Sequence, residues 1–402
     1  MGLNGSTLRL AIVAEQFSLE GGGAERNAAE VARYLASRGH QVTILAGHCG
    51  DEVELPGVRI ERSRCGKPHG AWRLLCFSRW VRRRLAADGY DASLSITAAA
   101  PATIVQPLAG IIRELHERSV AMRPDAVRRL GKRVLLLLNP KQQVLRWLER
   151  RTLADPAVRC VVAISPYMAD QLSRHYPAAA QHVELVRNAV EMPAVRTAQR
   201  KQWRARFRKH LNVPEQATLF LFPAMDPKRK GLVPLLHACQ KLAGRGMAFV
   251  LVVAGPSAFA HHKLAVRLGI RSHVRFVGQT THMLPLLCAA DVMAMPTFYD
   301  PASRVVIESM VMGLPAISTV FDGSSAFMRR EDGRVAGRII EDPHDIEALA
   351  AAMAELTDPQ QRQQAIEATR GLGEGLSMAR HAAELEQLLL RFAGDRTDRS
   401  GS

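Results

Sequence analysis

The stretch PTFYDPASRVVIESMVMGLPAIST, Pro296–Thr319, decides how the chain is read. It begins at the end of an apolar run, DVMAMPT, and passes through a loop holding Asp300-Pro301. A helical pattern follows from about Ser303 and stops at Gly313-Leu314-Pro315, just as a second apolar run, LPAIST, begins. Strand, loop, helix and strand in that order make one βαβ unit of a parallel sheet. A helix starting near Ser303 puts Glu308 little more than a turn beyond its first residue. The loop Asp300–Arg304 would then present an acid and the helix-start amides beyond the carboxyl end of a strand, where such sheets take ligands.

The same alternation extends outward in both directions. In the second half the apolar runs TLFLFPA, AFVLVVAG and VRFVG alternate with LVPLLHACQKLAG, HHKLAVRLG and THMLPLLCAA, and DPHDIEALAAAMAELTD continues the helices. In the first half LRLAIVAE, QVTILAG, VRIERS, ASLSI, VRCVVAIS and HVELV read as strands. GGGAERNAAEVARYLASRGH reads as a helix opened by glycines, with Ala24, Ala28, Val31 and Leu35 at helical spacing. The fold class is therefore α/β, with two doubly wound, Rossmann-like domains. The expected division is 1–195, 196–375, and a final helix with a disordered tail, GDRTDRSGS, over 376–402.

Composition bounds what such a chain can do. It has 402 residues, 47% apolar, which excludes a disordered or fibrous chain. No apolar run reaches the roughly 18 residues needed to span a bilayer, and the amino terminus lacks the charged start of a signal peptide. A soluble, cytoplasmic protein is expected. Cys49, Cys65, Cys76, Cys160, Cys239 and Cys288 are scattered without metal-ligand spacing, so they read as small apolar residues in a reducing compartment.

The net charge of +16 gathers in two places. RTAQRKQWRARFRKH, Arg196–His210, holds no acid and reads as an exposed linker helix. Arg113–Arg151 includes GKRVLLLLNPKQQVLRWLERR, where Val144, Leu145 and Leu148 share a face with Trp147 beside it. Both suit solvated surface, or docking on an anionic membrane through 113–151. Nucleic acid is not expected, because aromatics make up only 5% of the chain and are not interleaved with the cations.

Two further motifs lie where strands give way to helices. SLEGGGAER, Ser18–Arg26, places glycines before a helix N-terminus, a phosphate cradle or a tight turn. It is not G-x-G-x-x-G, and no acid ends the second strand at the spacing a dinucleotide dehydrogenase requires. FPAMDPKRKGLVPLL, Phe222–Leu236, places Lys228, Arg229 and Lys230 before Gly231 at a helix mouth, which suits a diphosphate.

With VVAISPYMADQL, VRNAVE, VRFVGQ, AADVMAMPT and RIIEDPHDIEALAAAM, these motifs resemble the retaining family 4 glycosyltransferases of GT-B fold over nearly the whole chain. In motif style they are nearest to bacterial lipopolysaccharide-core glucosyltransferases. The resemblance implies an acceptor-binding first domain, a nucleotide-sugar-binding second domain and an active site in the cleft between them. It also implies that the final helix crosses back onto the first domain. By position, Arg229 and Lys230 would stabilise the departing diphosphate and Glu308 would bind the ribose hydroxyls. Asp300, where the family usually has Glu, would contact the sugar or its leaving group. Amides of Ser303, Arg304 and Val305 would touch phosphate, Gly22 and Gly23 would close over it, and the backbone at Val277 would hold the base. Met225 stands where many relatives have Arg, which leaves that role to Arg229. The loop Pro107-Leu108-Ala109-Gly110 is apolar where the family is often polar, and His116 beyond it reads as a surface helix residue.

The expected reaction is transfer of a hexose from a nucleotide-sugar, in the first instance a UDP-sugar, to a saccharide or lipid-linked acceptor in envelope or polysaccharide biosynthesis. No cofactor and no metal are expected, since two cations face the diphosphate and no D-x-D motif is suitably placed. Two other classes share the fold: a nucleotide-sugar 2-epimerase, and a catalytically silent nucleotide-binding scaffold on a membrane surface.

Overall fold

The computed structural model describes residues 7–18, 22–50, 53–64 and 70–397. The chain divides into two compact units, the first made of 1–189 and 377–402 and the second of 190–376. The chain leaves the first unit at Ala189, six residues before the boundary expected at 195, and returns at Ser377.

In the first unit the strands are β1 (Arg9–Phe17), β2 (Gln41–Cys49), β3 (Val58–Arg62), β4 (Ala92–Ser95), β5 (Ile104–Val105), β6 (Cys160–Ala163) and β7 (Val183–Leu185). Among the described residues they form a parallel sheet in the order β3-β2-β1-β4-β5-β6-β7. Register keeps apolar residues side by side, as with Ile12 and Ile44, and strands buried on both faces need no polar alternation. One face carries Ala11, Val13 and Leu45 against Phe77 and Val81 of the helix Ala71–Ala87. Leu74 of that helix meets Leu148 of the helix Pro140–Leu153, with Val144 and Leu145 packed alongside.

The last helix, Met378–Thr397, belongs to this first unit and packs on the helix Gly23–Ser37. Its His381 is fully buried, with Nδ1 at 2.9 Å from the Arg187 carbonyl and Nε2 within 3.5 Å of the Asn27 and Gln106 amides. Its Glu386 receives His40 at 3.0 Å, the Tyr34 hydroxyl at 3.3 Å and Arg38 at 3.4 Å. The helix takes in Gly394–Thr397, the first part of the stretch expected to be a disordered tail. The remainder, 398–402, lies outside the described residues, as does Cys65.

The second unit holds β8 (Thr218–Pro223), β9 (Phe249–Ala254), β10 (Val274–Gly278), β11 (Val292–Ala294), β12 (Ala316–Thr319) and β13 (Gly337–Ile340). Among the described residues these form a second parallel sheet in the order β10-β9-β8-β11-β12-β13. Strand order reverses between β1 and β4 in one sheet and between β8 and β11 in the other. At such switch points the loops leave in opposite directions and open a crevice beyond the strand ends.

The basic stretch 196–210 forms the helix Thr197–His210, in which no residue is buried, yet part of its charge is engaged. Arg204 donates to the carbonyls of Ala289 and Ala290 at 2.9 and 3.2 Å, which satisfies the end of the helix Met283–Ala289. Arg204 and Arg208 both pair with Asp291, at 2.6 and 2.9 Å. These two arginines fasten the helix to its own unit and are not free for an outside partner.

The helix Ala126–Leu138 is different. Asp125 caps it by accepting from the Arg128 amide at 2.8 Å, but none of its residues is buried. Val127, Leu135 and Leu138 are 80, 66 and 76% exposed, and Leu130, Val134 and Leu137 are exposed with them. Arg128, Arg129, Lys132 and Arg133 stand between these apolar residues. Among the described residues no helix is long and apolar enough to cross a membrane.

Candidate functional site

The site in the second unit is built from the loops that follow β8 and β11, the two strands at its switch point. The first loop closes on Gly231, which caps the helix Leu232–Gly244 at φ 84°. A Cβ there would lie 2.0 Å from the Pro296 carbonyl oxygen, so only glycine lets the two loops approach this closely. The Arg229 carbonyl accepts from the Phe298 amide at 2.9 Å and from the Thr297 hydroxyl at 3.2 Å. The Thr319 hydroxyl ties down the Thr297 carbonyl at 2.6 Å. The R-K-G loop is thereby pinned to the loop that carries Asp300.

That pinning brings Lys230 and Asp300 together as a largely buried ion pair, with side chains 12 and 14% exposed. Burial and the neighbouring Arg229 push the Lys230 ammonium down to about 7, against the pull of Asp322 and Asp226. Arg229 itself leans on Asp226 at 3.4 Å and stays about one-third exposed. Asp300 also accepts from the Ala302 amide at 3.1 Å, which holds its carboxylate over the turn into the next helix.

That helix runs Arg304–Val311 with Ser303 as its cap, at the position the sequence indicated. Glu308 lies on it and is 6% exposed. The Ser303 amide, expected to face phosphate, instead donates to Asp322 at 3.0 Å. Asp322 is fully buried and also receives the Ser324 amide at 2.9 Å and the Ser318 hydroxyl at 2.8 Å. Arg304 and Val305 keep their places in the first turn, where helix amides lack an intrahelical acceptor. Asp322 lies three residues beyond Thr319, outside the stretch Pro296–Thr319. Its signal is an acid followed by Gly323 just beyond the carboxyl end of a buried strand.

Val277 lies on β10, an edge strand, at a bulge: Phe276 pairs with Val253 and Gly278 with Ala254, and Val277 is left between them. The register shift interrupts the regular ladder at this residue. Gly22 and Gly23 begin the helix Gly23–Ser37 in the first unit. The Gly22 amide is already taken by Glu25 at 3.0 Å, the Glu half of a capping box, with burial raising the Glu25 carboxyl. A phosphate at this amide would have to displace a carboxylate. The first of the three glycines, Gly21, lies outside the described residues.

His116, expected on the surface, is 8% exposed and sits 2.6 Å from the Gln142 side-chain oxygen, with burial pushing its pKa down. Nearby Glu114 is fully buried, paired with Arg118 at 2.7 Å, with His175 at 2.9 Å and with Arg174. Glu114, Glu117 and His175 lie close enough to bind a cation, but two arginines already neutralise that carboxylate.

Residues 21–192 match the family described as Glycosyltransferase Family 4, and residues 216–358 match the one described as Glycosyl transferases group 1. The lipopolysaccharide core biosynthesis glycosyltransferase LpsE of Rhizobium meliloti is 32% identical over 37% of this chain and 42% of its own length. The chain thus matches less than half of that relative. The lipopolysaccharide glucosyltransferase WaaG of Escherichia coli is 23% identical over 82% of this chain and 84% of its own. The crystal structure of WaaG, at 19% identity, superposes with a TM-score of 0.76 over 94% of this chain and 99% of that one. HepE of Anabaena, solved with UDP and glucose, gives 0.66 at 17% identity over 95% and 99%.

Proposed function

We propose that this chain, whose residues 21–192 match Glycosyltransferase Family 4 and 216–358 match Glycosyl transferases group 1, transfers a hexose from a UDP-sugar to an envelope saccharide or lipid-linked acceptor, with retention at the anomeric carbon. The observation that carries this reading is the Lys230–Asp300 pair at the β8/β11 switch point. It pairs a lysine with an acid in a loop that Gly231 lets approach the Pro296 carbonyl and that Thr297 and Phe298 hold there.

In this mechanism the donor diphosphate replaces Asp300 as the partner of Lys230, and Arg229 turns from Asp226 to the same phosphates. Their charge stabilises the departing diphosphate as the bond from anomeric carbon to phosphate oxygen breaks. The freed Asp300 carboxylate accepts from the sugar hydroxyls, and Glu308 takes the ribose diol. The leaving phosphate accepts the proton of the incoming hydroxyl, whose oxygen bonds to the anomeric carbon on the face just vacated. Positioning and charge do the work, so no nucleophilic carboxylate is needed. Nor does this mechanism call for a metal, and turnover should survive EDTA.

We place the reaction on the inner face of the plasma membrane. The exposed apolar and basic helix Ala126–Leu138 would lie in an anionic lipid surface, where a lipid-linked acceptor is found. UDP-glucose and other nucleotide-sugars at 100 times their dissociation constant should each stabilise the chain by about 2.7 kcal/mol if bound. A thermal-shift screen in which no nucleotide-sugar raises the midpoint would overturn the reading.

A further inference from the structure

The first unit also has a switch point, between β1 and β4, and a carboxyl group stands there that the donor chemistry does not use. Glu15 lies near the carboxyl end of β1, on the face that carries Ala11 and Val13. Among the described residues its hydrogen-bond donor is the hydroxyl of Thr97, two residues past β4. Lys141, in the first turn of the helix Pro140–Leu153, is near enough for its charge to favour the Glu15 carboxylate. Burial raises the Glu15 carboxyl above the usual range for such groups.

Comparison with Glu149 makes the point. That carboxyl is also buried, but it accepts from the Ile112 and Arg113 amides at 2.6 and 3.3 Å and from the Tyr176 hydroxyl at 2.6 Å. It joins three segments and is accounted for by the fold. Among the described residues Glu15 accepts from one hydroxyl, which does not offset the desolvation of a carboxylate, so the fold they show gives little reason to keep it. A partly buried acid with capacity for further hydrogen bonds, beside a cation and at a sheet's ligand-binding edge, matches a sugar that itself carries negative charge.

We propose that Glu15 and Lys141 bind the acceptor, Glu15 accepting hydrogen bonds from its hydroxyls and Lys141 pairing with a phosphate on the same saccharide. This rests on the transfer reading above and names the acceptor class for it: a phosphorylated saccharide.

The test is calorimetry on the full chain with UDP and, in its presence, glucose 6-phosphate and glucose. The wild-type chain binds UDP, and binds glucose 6-phosphate more tightly than glucose. Glu15→Gln, nearly the same shape, weakens glucose 6-phosphate by about tenfold and leaves UDP within about twofold. Lys141→Met removes the preference for the phosphorylated sugar. Wild-type chain that binds UDP but not glucose 6-phosphate overturns the proposal and leaves the donor reading standing. So do unchanged affinities in both variants. Chain that binds no UDP overturns the transfer reading, and this one falls with it. If Glu15→Gln fails to fold, Lys141→Met decides, since Lys141 is not buried.

Discussion

Lys230 is the residue on which most depends. Burial and the neighbouring Arg229 push its ammonium down to about 7, well below the ordinary lysine value of 10.5. Between those two values the unfolded chain binds more protons than the folded one, so stability should rise with pH over that window. A donor diphosphate reverses the preference by favouring the charged form. UDP-glucose, whose diphosphate diester does not titrate near neutrality, should therefore bind with proton uptake and weaken as pH rises from 7 to 9. Calorimetry in buffers of different ionisation enthalpy measures that uptake, and pH-independent affinity would contradict the role given to Lys230. Lys230→Ala should lower turnover by about 10²–10³, the loss typical of a group that stabilises developing charge, with little change in folding. At this scale Arg229, Lys230, Asp300 and Glu308 were legible, because loop cations and acids at strand ends stand out against apolar runs. The engaged amides were less so. Asp322 lies 19 residues from Ser303, and only the folded sheet brings them together. Glu25, by contrast, completes a local G-x-x-E capping pattern that the sequence does contain.

Among the elements, the loop-to-helix joint at Gly231 is the most demanding. Gly231→Ala adds a Cβ against the Pro296 carbonyl at a backbone angle that L-residues avoid. It should cost about 1–3 kcal/mol in chemical denaturation and weaken UDP-glucose by separating the two loops. Asp291 ties the helix Thr197–His210 to its unit, receiving Arg204, Arg208 and the Leu219 amide at 2.8 Å. Asp291→Ala should destabilise the protein by about 1–3 kcal/mol, since it removes the charge that Arg204 and Arg208 share and leaves the Leu219 amide without its acceptor. Long strands and amphipathic helices could be read from their periods. β5 could not: two residues, Ile104 and Val105, are too few to show one. The burial of His116 was also hidden, because the surrounding RELHER looks solvated until Arg118 and Arg174 are seen to neutralise Glu114.

For the whole molecule, the charge separates into cations with different tasks. Arg204 and Arg208 hold a helix, Arg229 and Lys230 are the pair proposed to meet the donor, and the cations of Ala126–Leu138 frame an exposed apolar stripe. Full chain should bind vesicles containing anionic lipid, less so as salt is raised. Leu135→Glu with Leu138→Glu should abolish that binding while leaving UDP affinity and the thermal midpoint unchanged, because neither side chain is packed. Cosedimentation and thermal melting check the two halves of this expectation. The division into units has a consequence for biosynthesis. The second unit is inserted in sequence between β7 and the last helix, and that helix supplies His381 and Glu386 to the interior of the first. A ribosome must therefore deliver the entire second unit before the first can close around Asn27 and His40. Until that last helix is made, the half made earliest stays unfinished and open to chaperones and proteases, while the half made later is free to fold ahead of it.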